Sequence, residues 1–214
     1  SEKRGTMSKR MRFGQRLFAL AWALGLAATT AGAAEAPKDF DEVLVYSTMD
    51  EGSIMHGLCI SPLRYDVVYL GDSMSADVLE GNGKTELTVR PRAGDTVLKQ
   101  MWRKMHYSGA VQGPSMCELF NVSGSYFMYG LTYTCLYVYS PADRPNAVIA
   151  ASSDDALKVI LNGKKIWSNQ IQRSPTYDGD QAPAPLKKGW NTLLLVVDQV
   201  WGGHLLCARF LDGA

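Results

Sequence analysis

The chain has 214 residues, with 22 Lys and Arg against 21 Asp and Glu, a formal net charge of +1. That balance gives no electrostatic case for nucleic acid or an anionic surface, because the basic residues are scattered rather than gathered into a stripe. The length suits one domain with a full core and is short for two.

The first expected element is a leader. Lys9, Arg10, Arg12 and Arg16 precede an apolar run from Leu17 to Ala28, and Ala31-Gly32-Ala33 supplies the small-x-small pattern of a signal-peptidase site. The run is about a dozen residues, short for a membrane span. The expectation is therefore a secretory signal peptide within residues 1–33, cleaved near Ala33, and a single domain over 34–214. Ser1 to Thr6 precede the candidate starts Met7 and Met11 and are set aside with it. An exported product would be secreted, periplasmic or held at the cell surface, with no membrane span after cleavage. Cys59, Cys117, Cys135 and Cys207 fit such a compartment and allow three disulfide pairings, between which the sequence does not choose. None forms a C-x-x-C pair, so zinc is weakly supported.

Down the chain, Val43–Ser47 has the composition of a first strand, Ser47–Ser61 reads as a loop around Gly52 and Gly57, and Tyr65–Leu70 reads as a strand. Gly71–Lys84 is rich in Gly, Ser and Asp, and Asn82-Gly83 signals a turn into Thr85–Arg90, where Leu87 and Val89 alternate with polar residues. Thr96–Tyr107 fits a strand or a short helix, with Met101, Trp102 and Met105 expected as packing residues. Tyr126–Ser140 is dense in aromatic and β-branched residues and predicts a long central strand with a bend at Gly130. Pro141–Asn146 turns the chain into a strand at Ala147–Ala151.

Next comes SSDDALKVILNGKKIW, Ser152 to Trp167. Leu157, Val159 and Leu161 fall on one face at period two and Lys158 on the other, which predicts a half-buried strand. Asn162-Gly163 tolerates positive φ at both positions, as a type I′ hairpin turn requires. Asn169–Ala184 is expected as a long loop, Thr192–Val197 as a strand buried on both faces or capped, and Leu205–Phe210 as the last strand. Many short strands with Gly and Pro turns predict an all-β fold, an antiparallel β-sandwich of jelly-roll type. The last four strands cannot bury their apolar residues alone, so the sandwich needs the N-terminal half.

Asp154 and Asp155 sit in the loop feeding the hairpin. Adjacent carboxylates repel unless a cation, hydrogen bonds or solvent offset the charge. Either a metal ion or backbone N–H groups capped by the carboxylates would do so.

The order SSDD, LKVILNGKKIW, APLKKGWNTLLLVV, then a Gly-rich turn and a final strand resembles the protective-antigen-like β-sandwich domains of secreted bacterial proteins, glycosidases and yeast flocculin lectins. The likeness is best over residues 130–210. It implies that Asp154 and Asp155 hold a calcium ion that bridges to sugar hydroxyls. Two features depart from the pattern: Ala156 stands where that family has glycine, and calcium takes about six to eight oxygens, more than one pair supplies. Asp178 and Asp180, spaced D-x-D, are the expected additional metal ligands if their loop folds back. The chain also resembles the galactose-binding-like jelly-roll domains that accompany glycosidases, sharing V-x-L-N-G-K and L-x-x-G-x-N. That likeness implies sugar binding through exposed aromatics, for which Trp167, Tyr177 and Trp190 are the candidates, with Trp201 beside them; any one of them is also suited to core packing.

Three functional classes follow. The first is a carbohydrate-binding or adhesion module for a cell-surface glycan, assisted by calcium. The second is a structural or interaction sandwich that works with other exported proteins and has no sugar site. The third, an enzyme, is disfavoured: there is no G-x-S-x-G elbow, H-E-x-x-H pair or glycine-rich phosphate loop, and adjacent Asp residues are badly placed for glycoside hydrolysis.

Overall fold

A computed structural model describes residues 45–47, 56–64, 73–80, 85–106, 130–200 and 203–211, all within one compact unit, Ala36–Ala214. In chain order the strands are β1 (Val45–Ser47), β2 (His56–Arg64), β3 (Thr96–Val97), β4 (Gln100–Met101), β5 (Arg103–His106), β6 (Gly130–Ser140), β7 (Val148–Asp154), β8 (Ala156–Leu161), β9 (Lys164–Asn169), β10 (Asp180–Pro183), β11 (Gly189–Gln199) and β12 (Leu205–Leu211). They form an all-β sandwich.

The larger sheet runs β5-β2-β6-β11-β8-β9. Its centre is the pair β6 and β11, antiparallel over their whole length from Gly189 opposite Ser140 to Gln199 opposite Gly130. The other edge of β6 is shared in tandem: β2 pairs with its first half, and β1 lies parallel to Tyr137–Tyr139. The smaller sheet is β10-β7-β12, antiparallel throughout.

Period-two alternation sorts these strands into layers. Leu157, Val159 and Leu161 of β8 and Leu193, Leu195 and Val197 of β11 meet Ile149, Ala151, Leu206, Ala208 and Phe210 of the smaller sheet in one core. The opposite face of the larger sheet, with Tyr133, Ile160, Leu194 and Val196, is not open to solvent: Met74, Leu79, Val89, Val97 and Trp102 of the preceding segment cover it as a second core. The apolar run of β11 is thus buried on both faces, in keeping with its composition.

The hairpin turn forms as its residues dictate. Asn162 and Gly163 have φ of 51° and 77°, both positive as a type I′ turn requires. Asn162 also caps the neighbouring strand, its Oδ1 accepting from the Thr192 backbone N–H at 2.9 Å.

Several sequence expectations are corrected. β8 is buried along both faces, not half-buried: Lys158 is 2% exposed, its Nζ 2.6 Å from Glu86 Oε2 and donating to the Ala76 carbonyl at 2.8 Å. The covering segment supplies a buried counter-charge that the local pattern does not contain. Thr85–Arg90 forms turns rather than a strand, because its backbone N–H groups find closer acceptors: Thr88 and Val89 donate to the Thr85 carbonyl, and Glu86 to the Asp77 carboxylate. β2 begins at His56, inside the stretch expected as loop. Thr96–Tyr107 resolves into strands over its described part, with Leu98 and Lys99 at φ of 50° and 63° turning β3 into β4. Trp102 is buried there, but Met101 is exposed rather than packed, since neighbours on an extended chain point to opposite sides. The expected long loop after Asn169 contains β10. Tyr65–Leu70, Tyr126–Tyr129 and the leader lie outside the described residues. Cys59, Cys135 and Cys207 are buried thiols outside any disulfide: Cys59 and Cys135 belong to opposite cores, and Cys207 lies on the smaller sheet.

Candidate functional site

The site is the end of the sandwich where β7 passes into β8. Asp154 is the last residue of β7, Asp155 follows, and the peptide bond between them is cis. The two carboxylates have different surroundings.

Asp155 is buried and acts as a cap. Its Oδ1 accepts from the Arg173 backbone N–H at 3.0 Å and its Oδ2 from the Val200 backbone N–H at 2.9 Å, while its own N–H donates to the Asp198 carbonyl at 3.2 Å. One carboxylate thereby ties together the long loop, the end of β11 and the head of β8. The Ser153 hydroxyl adds a bond to the Asp155 carbonyl at 2.6 Å.

Asp154 is 7% exposed. Among the described residues no donor reaches its carboxylate. Its Oδ2 lies against Gly203, where an added Cβ would stand 2.8 Å away, so a side chain at 203 would displace the carboxylate. Burial, and then the charge of Asp155, push the Asp154 carboxyl up to about 6. Buried charge normally finds a partner, and this one has a second carboxylate instead. At the same end Gln199 is fully buried, its amide N and O both without hydrogen-bond partners among the described residues. Asp198 accepts from the Ser73 hydroxyl, and burial raises its carboxyl as well.

The long loop does fold back, but it brings arginine with its carboxylates. Arg173 donates to both oxygens of Asp180, at 3.0 Å from its Nη1, and to the Ser153 carbonyl at 3.3 Å. Asp178, at φ 55°, is held by Arg209, whose Nε donates to Oδ1 at 2.9 Å. Asp178 and Asp180 are therefore engaged by guanidinium groups rather than gathered around Asp154 and Asp155. Among the described residues no group of three or more His, Cys, Asp or Glu side chains is arranged to hold a metal ion.

The aromatic candidates do not share a surface. Trp167 packs against the core between the sheets, whereas Trp190 packs against the core on the other face of the larger sheet, edge-on to Tyr139 at 5.3 Å between ring centroids. Tyr177 is 46% exposed, at the tip of the long loop. Trp201 lies outside the described residues.

Sequence reasoning missed Arg173, Gln199, Gly203 and Arg209. Gly202-Gly203 marks a turn, but nothing local says that Asp154 would lie against it. No protein-family model matches the chain, and no curated protein does so either.

As a donor set, Asp154 and the remaining lone pairs of Asp155 suit a hard, oxygen-seeking cation such as calcium. The uncompensated Asp154 carboxylate is the observation that fits such an ion.

Proposed function

We propose that the protein is an exported, non-catalytic carbohydrate-binding module in which Asp154 and Asp155 bind calcium at the β7–β8 junction. The reading rests on Asp154, a nearly buried carboxylate beside a second one, with no donor among the described residues. Calcium would supply the missing positive charge and leave coordination positions for sugar hydroxyls. Asp155 contributes placement: with its oxygens fixed by Arg173 and Val200, the loop is set before any ion arrives. Export is supported by the basic-then-apolar pattern of residues 9–33.

Thermal unfolding of the mature protein in millimolar calcium and in chelator tests this. A ligand that binds only the native state stabilises it by mass action, about 2.7 kcal/mol at a hundred times its dissociation constant. The expected outcome is a calcium-dependent rise in midpoint that Asp154→Asn/Asp155→Asn abolishes.

A second reading is supported by the capping geometry of Asp155. If both carboxylates serve only the loop, the protein is a structural or interaction sandwich working with other exported proteins. Identical midpoints in calcium and chelator would select it.

A further inference from the structure

Lysines that lie far apart in the sequence meet at one end of the sandwich. The end opposite the Asp154–Asp155 junction carries three connections: residues 141–147 between β6 and β7, 162–163 between β8 and β9, and 184–188 between β10 and β11. The six residues of β8 separate the two ends by roughly 20 Å, at about 3.3 Å per residue. Asn191, 1% exposed, clamps two of these connections together. Its Oδ1 accepts from Asn162 Nδ2 at 2.8 Å and from the Lys187 backbone N–H at 3.0 Å, and its Nδ2 donates to the Lys187 carbonyl at 2.8 Å. Asp143 ties in the third, its Oδ1 accepting from the Lys188 backbone N–H at 2.8 Å.

The covering segment reaches the same end. The Leu87 carbonyl oxygen lies against Gly163, where an added Cβ would stand 2.7 Å away. Tyr137, opposite Thr192 in the register, donates to the Pro91 carbonyl at 2.8 Å, and Thr192 is itself bonded to Asn162. The result is a basic pole. Lys164, Lys165, Lys187, Lys188 and Arg90 are exposed, and Asp143 is the one carboxylate among residues 87–92, 141–147, 162–165 and 184–188. The net charge of +1 conceals this pole, because Asp154, Asp155 and Asp198 lie at the other end.

The composition of the pole indicates what it meets. Leu87 is 46% exposed beside the lysines. Lysine presents a hydrated point charge on an apolar stem, not the planar fork with which arginine grips a single phosphate or carboxylate. Lysines around an exposed leucine suit a plane of many anionic groups with apolar chains just beneath it. We propose that this end of the sandwich docks on an anionic lipid bilayer, with the lysines among the headgroups and Leu87 at the boundary with the acyl chains. The Asp154–Asp155 junction then faces away from the membrane. The inference does not depend on the carbohydrate reading.

Co-sedimentation of the mature protein with vesicles of phosphatidylcholine alone, and of phosphatidylcholine mixed with phosphatidylglycerol, tests it. Binding is expected to the mixed vesicles only, and should fall as added salt screens the exposed charges. Each lysine near such a surface is worth about fivefold in partitioning. Lys187→Gln/Lys188→Gln should therefore weaken binding about 25-fold, as should Lys164→Gln/Lys165→Gln. Asn191 holds Lys187 through its backbone, so the clamp and the unfolding midpoint should be unchanged. Leu87→Ser should weaken vesicle binding about fivefold and leave binding to soluble polyphosphate as in wild type. Equal binding to both kinds of vesicle, or to neither, would overturn the proposal, as would lysine-pair variants that bind like wild type. Wild-type vesicle binding by Leu87→Ser would assign the pole to a soluble polyanion instead. Salt-sensitive self-association that the lysine variants lose, without vesicle binding, would assign it to a second copy of the chain; either result overturns the membrane.

Discussion

His204 shows how one buried side chain couples this end of the sandwich to pH. Its burial holds the imidazole down to about 3, against an ordinary value of 6.5. A depressed base contributes stability that is present above 6.5 and is lost as pH falls toward the native value, because the unfolded chain takes up a proton that the native one refuses. The slope approaches about 1.4 kcal/mol per pH unit. Asp154, Glu86 and Asp198 act with the opposite sign: their raised carboxyls bind protons more readily in the native state, so ionising them as pH rises costs stability. The difference between wild type and His204→Gln isolates the histidine. Urea unfolding from about pH 7 to about pH 5, either side of the ordinary histidine value, should show the variant gaining on wild type as pH falls; a constant difference would remove His204 from the account. Gly203 is a second single-residue test. Gly203→Ala places a Cβ against the Asp154 carboxylate and is expected to weaken the calcium-dependent midpoint rise while the chelated protein still unfolds cooperatively.

Among the elements, β8 depends most on distant chain. Its Lys158 pairs with Glu86, which also accepts from the Tyr133 hydroxyl at 2.7 Å, and the Tyr137 hydroxyl donates to the Pro91 carbonyl at 2.8 Å. These bonds fasten the covering segment to the larger sheet. Removing one member of a buried pair leaves the other charge uncompensated, a cost of about 3–5 kcal/mol. Lys158→Met alone should therefore destabilise by that order, and Lys158→Met/Glu86→Gln by clearly less. A double-mutant cycle in denaturant checks it, and additive losses would mean the pair is not coupled. The hairpin gives a simpler expectation: Gly163→Ala adds a Cβ 2.7 Å from the Leu87 carbonyl oxygen at a positive φ. It should cost about 1 kcal/mol or more in the same denaturant experiment. The β8–β9 hairpin, β6, β11 and β12 were legible in sequence because their signals are local: period-two alternation, an Asn-Gly turn, an unbroken apolar run. The burial of Lys158 was not, because the chain that buries it comes from the far side of the sequence. The same holds at the site. The Asp pair and its alternative capping role could be read from adjacent carboxylates, but Arg173 and Arg209, which decide what Asp180 and Asp178 do, sit at no spacing that marks them. β2 and β10 are short or glycine-bearing strands recruited by their neighbours, where tertiary pairing outweighs propensity.

At the scale of the molecule, two cores pack on either face of one sheet, and the described cysteines form no cross-link. Cys59 and Cys135 are pushed up to about 12 by burial, so neither offers a thiolate for exchange near neutral pH. Among the described residues Cys59, Cys135 and Cys207 are all thiols. Denatured, unreduced protein should titrate for all four thiols in the sequence, and reductant should leave the unfolding midpoint where it was; a missing pair of thiols would contradict the arrangement. The tandem occupation of one edge of β6 by β1 and β2 also sets a timetable. A chain is made from its N-terminus, yet β1 and β2 have no pairing edge on the central strands until β6 exists, and the Cys59–Thr134 contact closes a separation of 75 residues. Pairing across such separations is slow, and unpaired strands are exposed to association while they wait. The strands synthesised first thus wait for β6, so a nascent chain of this fold carries β1 and β2 without that pairing edge until residues 130–140 have emerged.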